Sequence, residues 1–187
     1  MNPEKPGDSL VPIADRADRF AIVALGSNLG DSKEIIRQAI HRLEKFSDQP
    51  LLKSSLWETT PVDCPPDSPV FLNAVVGFLP RPEETPESLH ARLQLLEKEF
   101  GRKQKSVMNE PRPLDLDLIA FGRETRSTEK LTLPHPRASQ RRFVLQPLSE
   151  IAPGLLLPRQ LKSVSDLLAS LPPETEMLPA PIRRTGK

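Results

Sequence analysis

Two aspartates in a short apolar run have the clearest chemical potential in the sequence. Asp115 and Asp117 alternate with Leu114, Leu116 and Leu118, so in a strand the leucines face one side and both carboxylates face the other. Because two like charges side by side repel each other, the pair needs either full hydration or a bound cation. Magnesium binds one or two carboxylates together with water and phosphate oxygens of a substrate. The pair is therefore consistent with a magnesium site or with a solvated strand face.

Basic residues before the aspartates favour a phosphate ligand. Arg112 lies between two prolines that stiffen the backbone, three residues before Asp115. Arg102 and Lys105 precede it on a basic segment with little apolar content. A planar guanidinium binds phosphate oxygens in a bidentate manner. A salt bridge from Arg112 to the aspartates, with solvated loop charges around it, is the alternative interpretation.

A rigid turn further along the chain has a histidine. His135 lies between Pro134 and Pro136, and Arg141 follows it closely. Histidine and arginine together suit an anion, although a lone histidine is more often structural than catalytic. Both interpretations are open at this point.

An aromatic ring and an amide lie on one side of a predicted strand. Phe71 and Asn73 are two residues apart, and side chains at this spacing in a strand share a face. They could stack on a flat heterocycle and hydrogen-bond to it. A core phenylalanine next to a strand-end asparagine is the alternative.

The apolar periodicity predicts the elements that position these residues. Strands are expected at Phe20–Leu25, Leu51–Glu58, Val70–Leu79, Leu114–Phe121 and Leu131–Pro134. Helices are expected to follow the N-caps Asp31, Thr85 and Ser163 and to end near Phe46, Gly101 and Leu171. The proline-rich stretch between residues 59 and 69 is expected to be a surface loop with a restricted backbone, which could wall a pocket.

The composition indicates a soluble globular protein. The chain has 187 residues, 37% hydrophobic and 27% charged, so one folded domain is expected. Cys64 is the only cysteine, which fits a reducing compartment and a cytoplasmic location. A signal peptide or membrane helix is not expected, because the early apolar run is short and charged residues precede it. The net charge of +1 gives no general reason to expect nucleic acid.

The prolines and charges also suggest domain limits. Residues 1–19 and 172–187 are expected to be disordered, the second segment being rich in proline and basic residues. The folded domain is expected at residues 20–171.

The ordered set of motifs resembles the 6-hydroxymethyl-7,8-dihydropterin pyrophosphokinase family of folate biosynthesis. The matching segments are Ala24–Gly30, Phe71–Val75, Pro111–Leu118 and Leu133–Pro136, followed by Arg141 and Phe143. The resemblance implies an α+β fold of the ferredoxin-like type, a single three-layer αβα domain with a largely antiparallel central sheet. It also implies a reaction in which the pterin hydroxymethyl oxygen attacks the β-phosphorus of MgATP and AMP leaves.

The resemblance further implies which residues contact metal and nucleotide. Asp115 and Asp117 would hold two magnesium ions, and Arg102 and Arg112 would act with them in catalysis. The other residues expected at the nucleotide are Gln94, Glu97, Lys105, Leu118, Thr132, His135 and Arg141. Leu118 and Thr132 would recognise adenine through backbone groups.

A pterin site is implied in the same way. Phe71 and Phe143 would stack on the ring, and Asn73 would hydrogen-bond to it. Backbone groups of the loop would complete the contacts, with Thr60, Pro61 and Asp63 as the expected residues.

The expected partners are two small molecules, ATP and hydroxymethyl-dihydropterin, bound by a monomer without nucleic acid or membrane. One alternative is another magnesium-dependent kinase or nucleotidyltransferase with a different acceptor. A second alternative is a non-catalytic protein that binds RNA through the basic region. The aspartate pair would repel RNA phosphates unless a metal were bound, and few aromatic residues are available for base stacking.

Overall fold

The computed structural model describes residues 19–59, 69–102, 111–172 and 183–184. Its strands are β1 (Ala21–Ser27), β2 (Leu52–Lys53), β3 (Trp57–Thr59), β4 (Phe71–Phe78), β5 (Asp115–Phe121), β6 (Arg126–Ser127), β7 (Thr132–Leu133) and β8 (Arg183–Arg184). Its helices are α1 (Ser32–Leu43), α2 (Pro86–Glu99), α3 (Arg142–Ile151) and α4 (Val164–Ser170), with short 3-10 turns at Glu44–Phe46 and Ala138–Gln140. Residues 1–18 and most of the predicted tail lie outside the described residues, as do Thr60, Pro61, Asp63 and Lys105, so the predicted domain limits stay predictions.

The central sheet has six strands, with β1 between β4 and β5. The strand order is β5-β1-β4-β3-β8, and β2 also pairs with β4. All of these pairs are antiparallel. β6 and β7 form a separate antiparallel pair.

Apolar residues on both faces of the sheet are buried by helices. On one face, Val23 and Leu116 belong to the core that contains buried residues of α1 and α2. On the other face, Ile22 and Val75 belong to a second core with residues of α3 and α4 such as Leu145. Because alternate strand residues point to opposite faces, both cores use the same strands. The three-layer α+β fold with a largely antiparallel sheet is therefore confirmed.

The predicted N-caps are confirmed by their side-chain hydrogen bonds. In each case, the side-chain oxygen accepts a hydrogen bond from the backbone N–H three residues later, which would otherwise be unpaired in the first helical turn. The pairs are Asp31 with Glu34 at 3.1 Å, Thr85 with Ser88 at 3.1 Å, and Ser163 with Asp166 at 3.2 Å. No helix in the described ranges is long and apolar enough to span a membrane.

The prediction of one strand over Leu51–Glu58 is wrong, because the structure divides it into β2 and β3. Between them, the Val75 N–H donates to Ser54 Oγ at 2.9 Å, and the Ser54 N–H donates to the Val75 carbonyl at 3.0 Å. A serine hydroxyl thus takes a hydrogen bond that a backbone carbonyl accepts in a regular ladder. Local side-chain bonding of this kind competes with strand pairing.

The close approach of the Phe20 ring to Gly77 of β4 gives a test of the packing. An alanine Cβ at Gly77 would lie 2.6 Å from Phe20 Cε1 and 3.3 Å from Ile22 Cδ1. Gly77→Ala is therefore expected to lower the free energy of unfolding by about 1–3 kcal/mol, measured by urea denaturation. Gly154→Ala is the control, because a Cβ there meets no atom within 4 Å. Equal stability of the two variants would contradict the packing at Gly77.

Candidate active site

The predicted pterin-side and metal-side residues meet on either side of Gly26. In β1, Gly26 pairs with Asn73 of β4 and with Asp115 of β5. A Cβ at Gly26 would lie 3.4 Å from Asn73 Oδ1, 3.8 Å from Phe71 Cδ1 and 3.9 Å from Asp115 Cβ. The missing side chain therefore leaves an open floor between the two sets of residues. This floor lies on the sheet face that α3 and α4 cover elsewhere.

The two aspartates have unequal partners. Arg102 Nη1 donates to Asp115 Oδ1 at 2.7 Å, and Arg112 Nη1 lies 3.4 Å from Asp115 Oδ2. Asp117 Oδ2 lies 3.8 Å from Arg141 Nη1, too far for a strong hydrogen bond. Burial, and secondly the charge of Asp115, raise the pKa of Asp117. A cation would relieve both effects, so two carboxylates on one strand face are a donor set that fits magnesium.

The C-terminus of α2 positions Arg102. Gly101 has a φ of +87°, and its N–H donates to the Lys98 carbonyl at 3.0 Å. The Arg102 N–H donates to the Glu97 carbonyl at 3.0 Å, so the helix ends in a Schellman motif that needs a residue with positive φ. The Arg102 guanidinium then hydrogen-bonds to the Glu97 carboxylate as well as to Asp115.

Glu97 is a buried acid that holds both Arg102 and β5. It is 6% exposed, and its Oε1 accepts a hydrogen bond from the Leu116 N–H at 2.7 Å. Burial raises the pKa of Glu97 to about 7, against the lowering effects of the Leu116 N–H and Arg102. Through these contacts, Glu97 can orient Arg102 next to Asp115.

Asn28 fixes the backbone of Arg112. Its Oδ1 accepts a hydrogen bond from the Arg112 N–H at 2.9 Å, and its own N–H donates to the Arg112 carbonyl at 3.2 Å. Its Nδ2 donates to the Pro69 carbonyl at 3.4 Å, just before β4. Asn28 lies within a matching motif, but residue spacing alone does not indicate this role. With 3% exposure, it links the Arg112 segment to the strand of Phe71 and Asn73.

On the pterin side, the structure places the predicted residues on β4 and at the start of α3. Asn73 Nδ2 donates to Thr59 Oγ1 at 2.8 Å, so Asn73 Oδ1 is directed by a neighbour that the sequence analysis missed. The Arg112 guanidinium carbon lies 5.9 Å from the centre of the Phe71 ring. The Arg141 guanidinium carbon lies 5.3 Å from the centre of the Phe143 ring. Each predicted stacking ring therefore lies close to an arginine that is predicted to bind phosphate.

A bulge in β5 brings the Pro-His-Pro turn to the aspartates. The register between β1 and β5 shifts after Leu118, which leaves Ile119 as an extra residue. The His135 N–H donates to the Ile119 carbonyl at 2.9 Å. Burial lowers the pKa of His135, and the charge of Asp117 opposes this change.

Arg141 lies at the N-terminus of α3, where its carbonyl accepts hydrogen bonds from the Val144 and Leu145 N–H groups at 3.0 and 2.9 Å. Burial, and secondly the charge of Arg137, lower the pKa of Arg141. Because the N-terminus of a helix carries partial positive charge, a cation there is unfavourable without an anion. Arg141 and His135 thus lie on the Asp117 side of the site.

The remaining nucleotide-side residues lie further out. Gln94 is exposed on α2, with its Nε2 3.1 Å from His90 Nε2, one turn before Glu97. Thr132 is exposed on β7, whereas the Leu118 side chain is buried against α1 and α2. Only the backbone of Leu118 is thus available on β5, at the edge of the sheet.

A comparison with protein families identifies the family of the chain. A family model described as 7,8-dihydro-6-hydroxymethylpterin-pyrophosphokinase (HPPK) matches residues 22–153. The chain belongs to this family. The resemblance recognised from the motifs is confirmed.

Similar proteins in bacteria and fungi support the assignment. The 2-amino-4-hydroxy-6-hydroxymethyldihydropteridine pyrophosphokinase of Bacillus subtilis is 41% identical over 72% of this chain and 78% of its own length. The protein of the same name in Pseudomonas aeruginosa is 37% identical over 84% of this chain and 95% of its own length. The folic acid synthesis protein fol1 of Pneumocystis carinii is 40% identical over 73% of this chain. The chain spans only 18% of that fungal protein.

Solved structures share the fold of the chain. An HPPK-DHPS in complex with substrates superposes with a TM-score of 0.63 over 82% of this chain, at 12% identity. The wild-type Plasmodium falciparum HPPK-DHPS with pteroate gives a TM-score of 0.64 over 81% of this chain, at 14% identity. The chain spans 43% and 42% of these longer proteins.

Removal of the Asn28 side-chain bonds tests its positioning role in the family reaction. Asn28→Ala is expected to lower kcat/KM for ATP by about 10–100-fold, because losing buried hydrogen bonds costs about 1–3 kcal/mol and releases Arg112. Steady-state kinetics measure this change, and urea denaturation measures stability.

Ser27→Ala is the matched control in the same turn. Its hydroxyl bonds to Ser32 Oγ at 2.9 Å, at the start of α1 rather than at Arg112. A comparable loss of stability with nearly normal kcat/KM is expected. If both variants lost activity in parallel with stability, Asn28 would have no specific positioning role.

Proposed function

We propose that the chain transfers the pyrophosphoryl group of ATP to the hydroxymethyl oxygen of 6-hydroxymethyl-7,8-dihydropterin and releases AMP. The observation that carries this proposal is the register at Gly26, which sets Asn73 and Asp115 on opposite sides of one open floor. An alcohol held on the β4 side and a triphosphate held on the β5 side would meet there. The names of the bacterial relatives support the same acceptor.

On the phosphate side, Asp115 and Asp117 would hold two magnesium ions. When bound with ATP, these ions would neutralise triphosphate charge and favour attack at phosphorus. Arg102, Arg112 and Arg141 would bind phosphate oxygens, with His135 and Lys105 as further donors. Glu97 would support this side by holding Arg102, which is consistent with its buried hydrogen bonds.

On the acceptor side, Asn73 would recognise the pterin. Its amide nitrogen donates to Thr59 Oγ1, which leaves Oδ1 to accept a hydrogen bond from a pterin N–H. Phe71 and Phe143 would stack on the ring. The other contacts would come from backbone groups of the preceding loop, at Thr60, Pro61 and Asp63.

The reaction would depend on position and charge rather than on a dedicated base. The chain would hold the hydroxymethyl oxygen in line with the β-phosphorus, so that AMP leaves from the opposite side. The four basic residues Arg102, Arg112, His135 and Arg141 would stabilise the charge that develops on the phosphate oxygens. Backbone groups of Leu118 and Thr132 would hold the adenine, with Gln94 beside the nucleotide.

The compartment in which the chain acts is proposed to be the cytoplasm. The single cysteine of the chain is consistent with a reducing compartment such as the cytoplasm. We further propose that the chain acts as a monomer on these two small molecules, without nucleic acid or membrane.

Product analysis tests the reaction directly. With magnesium, ATP and 6-hydroxymethyl-7,8-dihydropterin, chromatography is expected to show one AMP for each pterin that gains two phosphates. Formation of ADP would indicate an ordinary kinase, and release of free pyrophosphate would indicate a nucleotidyltransferase. Either result would contradict the proposal.

Replacement of Asp117 tests the metal assignment and its effect on stability. Because burial and Asp115 raise the pKa of Asp117 above its ordinary value, its ionised form destabilises the fold, and this loss grows as the pH rises through that pKa. Asp117→Asn is therefore expected to raise Tm at neutral pH without magnesium. It should lower kcat at least about 100-fold, the scale for loss of one electrostatic contact to the transition state.

Asp48→Asn provides a control with the same change of charge. Asp48 Oδ1 makes a surface salt bridge to Arg81 Nε at 3.2 Å, with a side chain that is 70% exposed. Calorimetry and AMP release should show little change in this variant. Nearly normal turnover in Asp117→Asn would refute the metal assignment.

A further inference from the structure

A cavity of about 210 Å³ adjoins the nucleotide side of the site. One wall is formed by residues between Thr132 and Ser139, including His135, and a second wall by Leu157, Arg159 and Gln160 of the connection between α3 and α4. Buried apolar side chains, including Leu133 and Leu157, line the interior. Polar side chains, including His135 and Ser139, line it as well, and a concave site with both kinds of group can hold a small molecule.

The second wall is a tight turn with an unexpected residue. The Gln160 N–H donates to the Leu157 carbonyl at 2.9 Å, Pro158 is the second residue of the turn, and Arg159 is the third, with a φ of +63°. Proline at the second position and positive φ at the third form the pattern of a type II turn, which favours glycine or asparagine at the third position. Among the described residues, Arg159 is the only non-glycine residue with positive φ.

The fold does not explain the arginine at this position. Arg159 is exposed, and in the described part of the chain its guanidinium has no hydrogen bond or salt bridge. A side chain with a Cβ in the left-handed region is strained, and such residues persist where function needs them. The neighbouring Lys162, by contrast, donates from Nζ to Ser170 Oγ at 2.9 Å.

The location of the cavity indicates the ligand. The proposed function assigns the adenine to backbone groups at Leu118 and Thr132, and the triphosphate to His135 and Arg141. Thr132 and His135 both line the cavity. The part of ATP that connects the adenine to the outer phosphates would therefore lie along the cavity. That part is the ribose with its α-phosphate, whose oxygens accept hydrogen bonds from a guanidinium.

We propose that the turn from Leu157 to Gln160 forms the outer wall of the nucleotide site and that Arg159 binds the ribose and α-phosphate of ATP. This inference rests on the proposed function, and it adds a positioning residue from the connection between α3 and α4. Arg159 would hold the AMP half of the nucleotide, which is the leaving group.

Two substitutions separate ligand binding from turn geometry. Arg159→Ala removes the guanidinium but keeps a Cβ at positive φ, whereas Arg159→Gly also relieves the strain. Isothermal titration with AMP is expected to show dissociation constants about tenfold higher for both variants, the scale of one charge-assisted hydrogen bond. Calorimetry is expected to show a higher Tm for Arg159→Gly, by about 2–4 °C.

Lys162→Ala is the matched control, because it removes the same charge from the same connection outside the cavity lining. Its affinity for AMP should equal that of the wild type. Wild-type affinity in Arg159→Ala or Arg159→Gly would overturn the inference, and so would an equal loss in Lys162→Ala. Suppose that the wild type binds AMP and forms AMP from ATP, and that both Arg159 variants bind AMP with wild-type affinity. The role of Arg159 would then be refuted, whereas the proposed function would stand. If the wild type bound neither ATP nor AMP, the proposed function would fail first.

Discussion

The pairing of β1 with both β4 and β5 is the constraint on which the site depends. Because β1 lies between them, a single backbone position fixes where residues of the other two strands stand relative to each other. At Gly26 this register aligns Asn73 with Asp115, and the absence of a side chain keeps the space between them open. A shift of one residue in either pairing would turn Asn73 or the aspartates toward the α1 and α2 core.

Neighbouring arginines explain how Glu97, Asp115 and Asp117 can lie close together in the site. Arg102 lies between Glu97 and Asp115, and Arg112 lies on the other side of Asp115. Among the described residues, the salt bridge of Asp117 is the longer one to Arg141, and burial together with the charge of Asp115 raises the pKa of Asp117. The site thus stores unfavourable charge at the position where a cation would be held, as is common where function and stability compete.

The helix ends and turns connect this charge to the scaffold. The Schellman motif at Gly101 directs the chain so that Arg102 returns to Glu97 of the same helix. The bulge at Ile119 provides the carbonyl that holds the backbone of His135. Rigid elements therefore position Arg102 and His135, although both residues come from irregular segments. This arrangement suits catalysis by positioning, since bound groups need little rearrangement.

The sequence alone determined the alternation of leucines and aspartates, the helix caps, the glycine at the end of α2, the family motifs and the fold class. These features depend on local periodicity and on residues close together in the chain. Only the tertiary structure decided the roles of Asn28, Thr59 and Ser54, the contact of Glu97 with β5, and the exposed arginine in the Leu157–Gln160 turn. Their partners are distant in sequence or depend on the backbone conformation of the folded chain, so spacing does not reveal them. The sequence shows the chemical type of each side chain, but only the packing of the folded chain determines which group that side chain contacts.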